Sequence, residues 1–191
     1  IADRFDRSQQ SRLAFVLTQL TLLGAIGLAL YTHWGVERAI TVNGMYVSDS
    51  LAAVLKVTVA GMSMVTLGYS RDYLRQRDLL KGEFYLLALI ANLGMFVMAS
   101  ASSLLVLYVG LEMLSLSLYA MVAFDRDSHI GAEAAMKYFV LGALSSGMML
   151  YGMSMIYGAS GSLLIDTIAS HAAAGDNLLL MAFGMTFALV G

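Results

Sequence analysis

Apolar residues run through this chain in long, nearly unbroken stretches, without the spaced stripe of an amphipathic helix or the alternation of a half-buried strand. The runs lie at about Leu13 to Thr32, Leu51 to Tyr69, Phe84 to Ser100, Ser102 to Phe124 and Gly131 to Tyr157, and a sixth opens at Leu178. At about 1.5 Å per helical residue, runs of roughly 17 to 27 residues match the hydrocarbon thickness of a bilayer, roughly 30 Å. They predict an all-α membrane protein: a polytopic bundle with five complete transmembrane helices and an incomplete sixth.

The breaks between the runs carry their own signals. Asp49 and Ser50 precede the second run, and Ser102 and Ser103 open the fourth, each able to accept from the unpaired N–H groups of a helix start. Only Ala101 to Ser103 separate the third and fourth helices, which predicts a tight turn and two antiparallel neighbours in contact. The longer segment Gly158 to Asn177 contains a short amphipathic run, Leu163 to Ala169, expected as a short helix on the membrane surface. No proline occurs, so no helix carries a proline kink.

Composition agrees with the pattern. Of 191 residues 59% are hydrophobic and 13% charged, against about 25% charged in soluble domains. The mean hydropathy is +0.76. A formal charge of −2 supplies no basic field for nucleic acid. The lack of cysteine removes disulfides, thiolate nucleophiles and cysteine-ligated clusters together. The chain opens on Ile1, and its polar first residues have no signal-peptide pattern; with the short last run, this reads as a piece of a longer protein, an N-terminal half.

Basic residues near the helix ends set the orientation. Arg4, Arg7, Arg12, Arg71, Arg75, Arg77, Lys81 and Arg126 lie at one set of ends, and only Arg38 at the other. This bias predicts that the 71–83 and 125–130 loops face the cytoplasm, and that 158–177 faces outward.

Charge inside the runs is confined to Lys56, Glu112, Glu133 and Lys137. Such residues are expensive in a bilayer and commonly mark polar or proton paths. Glu112 sits at mid-span; it is either a protonated carboxyl bonded to a neighbouring helix or a group that exchanges a proton under the influence of a nearby cation. Glu133 and Lys137, four apart in the order that suits a helical ion pair, are either mutually neutralising or a proton station near the entry side. Lys56 is shallow enough to snorkel, with a place in the path as the alternative. Glu112 lies about 18 Å, and Lys137 about 9 Å, from the inner ends of their helices, so a bridging group is needed between them. Asn92 reads as interhelical glue, and Gly142, Ser145, Ser146 and Gly152 as a small face for close packing. His33, His129 and His171 have no metal-ligand spacing.

The run FYLLALIANLGMFVMASASSLLVLYVGLEMLSLSLYAMVAF, followed by EAAMKYFVLGALSSGMMLYGMSMIYGASGSL, resembles the antiporter-like membrane subunits of proton-pumping NADH:quinone oxidoreductase, respiratory complex I, in particular those of the subunit N type. The likeness is close over Glu83 to Leu163 and looser elsewhere. It implies a bundle of about fourteen helices made of two inverted repeats, with proton-path residues matching Glu112, Glu133 and Lys137. It further implies no cofactor in this chain, with NADH, FMN, iron–sulfur clusters and quinone in partner subunits. The expected partners are other membrane subunits and the lipid bilayer, with no nucleic acid and no soluble small-molecule substrate, in a bacterial inner or equivalent energy-transducing membrane.

Two departures stand out. Ser117 occupies a position where the family often has proline, and the family's central lysines belong to helices beyond Gly191. The competing readings are a subunit of a multisubunit cation/proton antiporter and a structural membrane anchor that conducts nothing.

Overall fold

The computed structural model describes residues 2–33, 39–77, 79–125, 127–175 and 177–191. Its elements are α1 (Ala2–His33), β1 (Ala39–Thr41), β2 (Tyr46–Ser48), α2 (Ser50–Gln76), α3 (Gly82–Ala99), α4 (Leu104–Val122), α5 (His129–Ser160), α6 (Ile165–Ala174) and α7 (Leu178–Val190). Five helices are long and apolar enough to cross a membrane; they contain Ser11–Thr32, Ser50–Gln76, Gly82–Ala99, Leu104–Val122 and His129–Ser160. The predicted runs fall on these helices. Two of them extend well past their apolar runs, α1 at its start and α2 at its end, into charged sequence that continues the helix outside the hydrocarbon.

The helix starts follow the sequence signals. Asp49 accepts from the Ala52 N–H at 2.8 Å, and Ser103, the second of the two serines, caps α4 through the Leu105 N–H. Ser128 does the same for α5 through Gly131. Gly161 and Gly175 end α5 and α6 with φ of 67° and 79°, the left-handed conformation glycine adopts without Cβ strain.

Packing runs in series: α1 on α2, both on α3, α3 on α4, α4 on α5 and α5 on α7. One apolar core joins Leu22, Ala60, Leu67, Tyr85 and Ala88 of the first three helices. A second joins Ile156, Ala159, Ile168 and Met181 of the last three. Large apolar side chains elsewhere point outward, among them Leu13, Leu17, Leu20 and Leu28 on α1, as expected of surfaces solvated by lipid. Where α3 crosses α4, Gly94 and Gly110 face each other: a Cβ built on Gly94 would lie 2.6 Å from the Gly110 carbonyl oxygen, and one on Gly110 2.8 Å from that of Gly94. Small residues thus let the two backbones touch.

The two ends of the bundle differ. At one end lie the described basic residues Arg12, Arg71, Arg75, Arg77 and Lys81; Arg38, Arg126 and the side chains of Arg4, Arg7 and His33 fall outside the described residues. At the other end, β1 and β2 form an antiparallel hairpin that pairs Ala39 with Ser48 and Thr41 with Tyr46. Asn43 and Gly44 turn it, at φ of 53° and 88°. The predicted tight turn after α3 also serves as a connecting strand. Ser100 O accepts from Val47 N and Ser102 N donates to Met45 O, while Leu104 N donates to Leu163 O and Ser102 O accepts from Ile165 N. The hairpin, the α3–α4 turn and the start of α6 are therefore stitched together by backbone bonds.

Candidate functional site

Glu112 projects from the middle of α4, half buried, towards α5. The Ser146 hydroxyl of α5 donates to its Oε1. Tyr108, one turn earlier on the face of α4 that carries Glu112, brings its hydroxyl into reach of both residues. Among the described residues no cation pairs with Glu112. A hydroxyl can donate to a carboxylate and also accept from a carboxylic acid, so Ser146 can serve both protonation states of Glu112.

The helices around Glu112 meet closely. Tyr119, two turns further along α4, packs its phenol over Gly142 and sets its ring edge-on to Tyr138 at 4.8 Å and Phe139 at 5.8 Å between centroids. The four small residues of α5 do not form one packing face. Gly142 and Ser146 meet α4, whereas Gly152 meets Gly184 and Ala188 of α7, and Ser145 donates to Gly191 O. α4 continues through Ser117, the position where the family often has proline, as one unbroken helix, and the Ser117 hydroxyl bonds back to Met113 O at 2.7 Å.

The ion pair stands apart. Lys137 Nζ lies 2.6 Å from Glu133 Oε1, and both side chains are more than half exposed in this chain. Lys137 precedes Ser146 by nine residues, which at about 100° and 1.5 Å per residue puts it on the opposite side of α5 and about 14 Å along its axis. Glu112 and the pair therefore neither touch nor share a helix face. Any link between them has to pass around α5, through groups on another helix or water.

Lys56 reaches the hairpin. Its Nζ donates to the Tyr46 hydroxyl of β2 at 2.8 Å and sits 5.1 Å from the ring centroid. Burial alone would raise the Tyr46 phenol, but the bond from Lys56, the ammonium's field and the neighbouring Ser100 hydroxyl lower it below its usual value near 10. Asn92 is buried on α3, accepts from Ser63 of α2 at 2.7 Å and donates to Ala88 O, the glue its position predicts. Sequence reasoning missed Ser146 as a partner of Glu112 because a serine beside glycines reads as a packing residue. The signal for the hairpin was present: Asn43-Gly44 flanked by alternating residues is a strong short-range turn signature.

Comparison with known proteins supplies the family. Residues 101–191 match the family described as NADH:quinone oxidoreductase/Mrp antiporter, transmembrane. The whole chain aligns with proteins named NADH-quinone oxidoreductase subunit N, at 53% identity in Alkalilimnicola ehrlichii and 55% in Halorhodospira halophila. It spans 39% of the length of each of these relatives. Among solved structures, a chain of respiratory complex I from Thermus thermophilus superposes with a TM-score of 0.76 and 35% identity, over 95% of this chain and 38% of that one. A chain of the Mrp complex from Dietzia superposes at 0.65 over 93% of this chain and 36% of that one, with 16% identity, a likeness of fold.

Proposed function

Because the chain belongs to the antiporter-like membrane subunits of the NADH:quinone oxidoreductase/Mrp family, we propose that it forms part of a subunit N that translocates protons in a respiratory complex I. Identity of 53 and 55% with subunit N relatives supports this assembly over an Mrp-type antiporter, to which the likeness carries 16% identity. Redox chemistry, with NADH, FMN, iron–sulfur clusters and quinone, belongs to partner subunits on this reading, and the bundle sits with them in a bacterial inner membrane. Energy reaches this chain as a change of electrostatic field or helix position.

One observation carries the role of Glu112: a mid-membrane carboxylate whose partner on the next helix is a neutral hydroxyl. A fixed cation would hold Glu112 ionised; a hydroxyl leaves its proton affinity to be set by whatever charge approaches. Glu112 then binds a proton when a nearby cation withdraws and releases it when the cation returns, and Ser146 keeps the carboxyl aimed at α5 throughout. Glu133 and Lys137 act as a second station nearer the basic end. A structural anchor would have no use for the ionisable group.

Glu112→Gln in the full-length protein tests this. The substitution retains size and hydrogen bonding and removes an insertion cost, so assembly is expected to be normal. Proton flux per electron in reconstituted vesicles is expected to fall; undiminished flux from a well-assembled variant would leave the anchor as the better reading.

A further inference from the structure

We propose that the cleft between the basic ends of α1 and α2 binds the phosphodiester head group of an anionic membrane phospholipid. The cleft, about 520 Å³, is lined by Arg12, Phe15 and Val16 of α1 and by Arg71, Asp72 and Arg75 of α2. Three guanidiniums and one carboxylate give it a net charge of about +2 at neutral pH. Among the described residues, no carboxylate forms an ion pair with any of the three arginines. Arg71 is already placed, its guanidinium 4.9 Å from the Phe15 ring centroid. Contact with the ring holds the guanidinium at the cleft, where its N–H groups can bind phosphate oxygens two at a time.

The position of the cleft selects a lipid over a free anion. Arg12 immediately follows Ser11, the first residue of the apolar segment of α1, and Arg71 and Arg75 lie in the last turns of α2, so the charges sit at head-group depth. Directly above, Val16, Leu20 and Leu23 recur at helical spacing along α1, and all three are exposed. A phosphate held by the arginines would lay its acyl chains on that stripe. Basic pockets between transmembrane helices are suited to such head groups, each charge contributing about fivefold in affinity.

The test uses the purified whole complex in phosphatidylcholine vesicles containing photoactivatable phosphatidylglycerol, with cross-links located by mass spectrometry. Saturable capture on the peptide spanning residues 13–23 is expected, with no saturable capture of photoactivatable phosphatidylcholine. Arg12→Gln and Arg75→Gln should each weaken capture about fivefold, and both together about 25-fold. Arg77→Gln should leave it unchanged, since Arg77 stacks on Tyr73 outside the cleft. Capture undiminished in the double variant, or lost equally in Arg77→Gln, would overturn the proposal. Displacement of the lipid by inorganic phosphate at constant ionic strength would reassign the cleft to a free anion.

Discussion

The Ser146 hydroxyl of α5 donates to the Glu112 carboxylate of α4, and it is the contact that ties the one mid-span acid to its neighbouring helix. Hydrogen bonds to a charged group contribute about 1.5–3 kcal/mol. Ser146→Ala should leave assembly intact, because α4 and α5 also meet through Tyr119 and Gly142, and should lower proton flux severalfold by freeing the carboxyl to rotate. Ser146→Thr keeps the hydroxyl and should retain most of the flux. Vesicle proton uptake measured for the two variants side by side checks this; equal losses would mean that volume, not the hydroxyl, matters.

Glu133 and Lys137 satisfy each other at 2.6 Å on a face of α5 turned away from Ser146. A pair that only neutralises itself is dispensable as a pair and harmful when halved. As a proton station it should behave differently. Glu133→Gln with Lys137→Gln is expected to assemble, as seen on native gels, yet to pump more slowly than wild type. Full flux in the double variant with failed assembly in both singles would reduce the pair to neutralisation.

How much of this could be read in advance depended on the range of the interaction. The five spans were legible because apolar run length is a property of the chain itself, and the caps at Asp49 and Ser103 because they act within three residues. Asn92 was legible in kind, since a mid-membrane amide must find a partner, although nothing in the sequence pointed to Ser63. The Ser146 contact spans 34 positions, and the stitching of the hairpin to the α3–α4 turn and α6 joins segments up to about 120 residues apart. Periodicity is silent at that range. It could place Glu112 and Lys137 at different depths, but the rotation of α5 that puts them on opposite sides follows only once Ser146 is known to face α4.

Gly94 and Gly110 make the α3–α4 crossing, so Gly110→Ala should be costly out of proportion to one methyl group. Its Cβ would lie 2.8 Å from the Gly94 carbonyl oxygen and 2.9 Å from Met98 N, both of them backbone atoms that move only if the helices part. Overpacking of this kind costs about 1–3 kcal/mol. It would also displace Glu112, two residues away. Gly61→Ala on α2 meets nothing within 4 Å and is the control, expected to be neutral or slightly stabilising through helix propensity. Subunit retention after heating the solubilised complex compares the two.

Tyr46 and Lys56 link the β1–β2 hairpin to α2, and their bond gives that end of the bundle a pH dependence of definite sign. The phenol is lowered below its usual value near 10, burial being outweighed by the bond from Lys56, the ammonium's field and the neighbouring Ser100 hydroxyl. A tyrosine with a depressed folded pKa holds fewer protons folded than unfolded in the alkaline range. Its stabilisation is therefore fully present above the unfolded value near 10 and is lost as pH falls through the lower folded value. The amides of Val47 and Ser102, which join the hairpin to the α3–α4 turn, report it. Their hydrogen-exchange protection factors, corrected for the intrinsic base-catalysed rate, should rise in wild type relative to Tyr46→Phe as the pH is raised towards the unfolded value near 10. At neutral pH the same variant should lose about 1 kcal/mol from one missing hydrogen bond while keeping the stacking of Lys56 on the ring. A difference between wild type and Tyr46→Phe that stays constant across this range would show that the phenol does not titrate there, and that its contact with Lys56 is only a hydrogen bond from the ammonium to a neutral phenol.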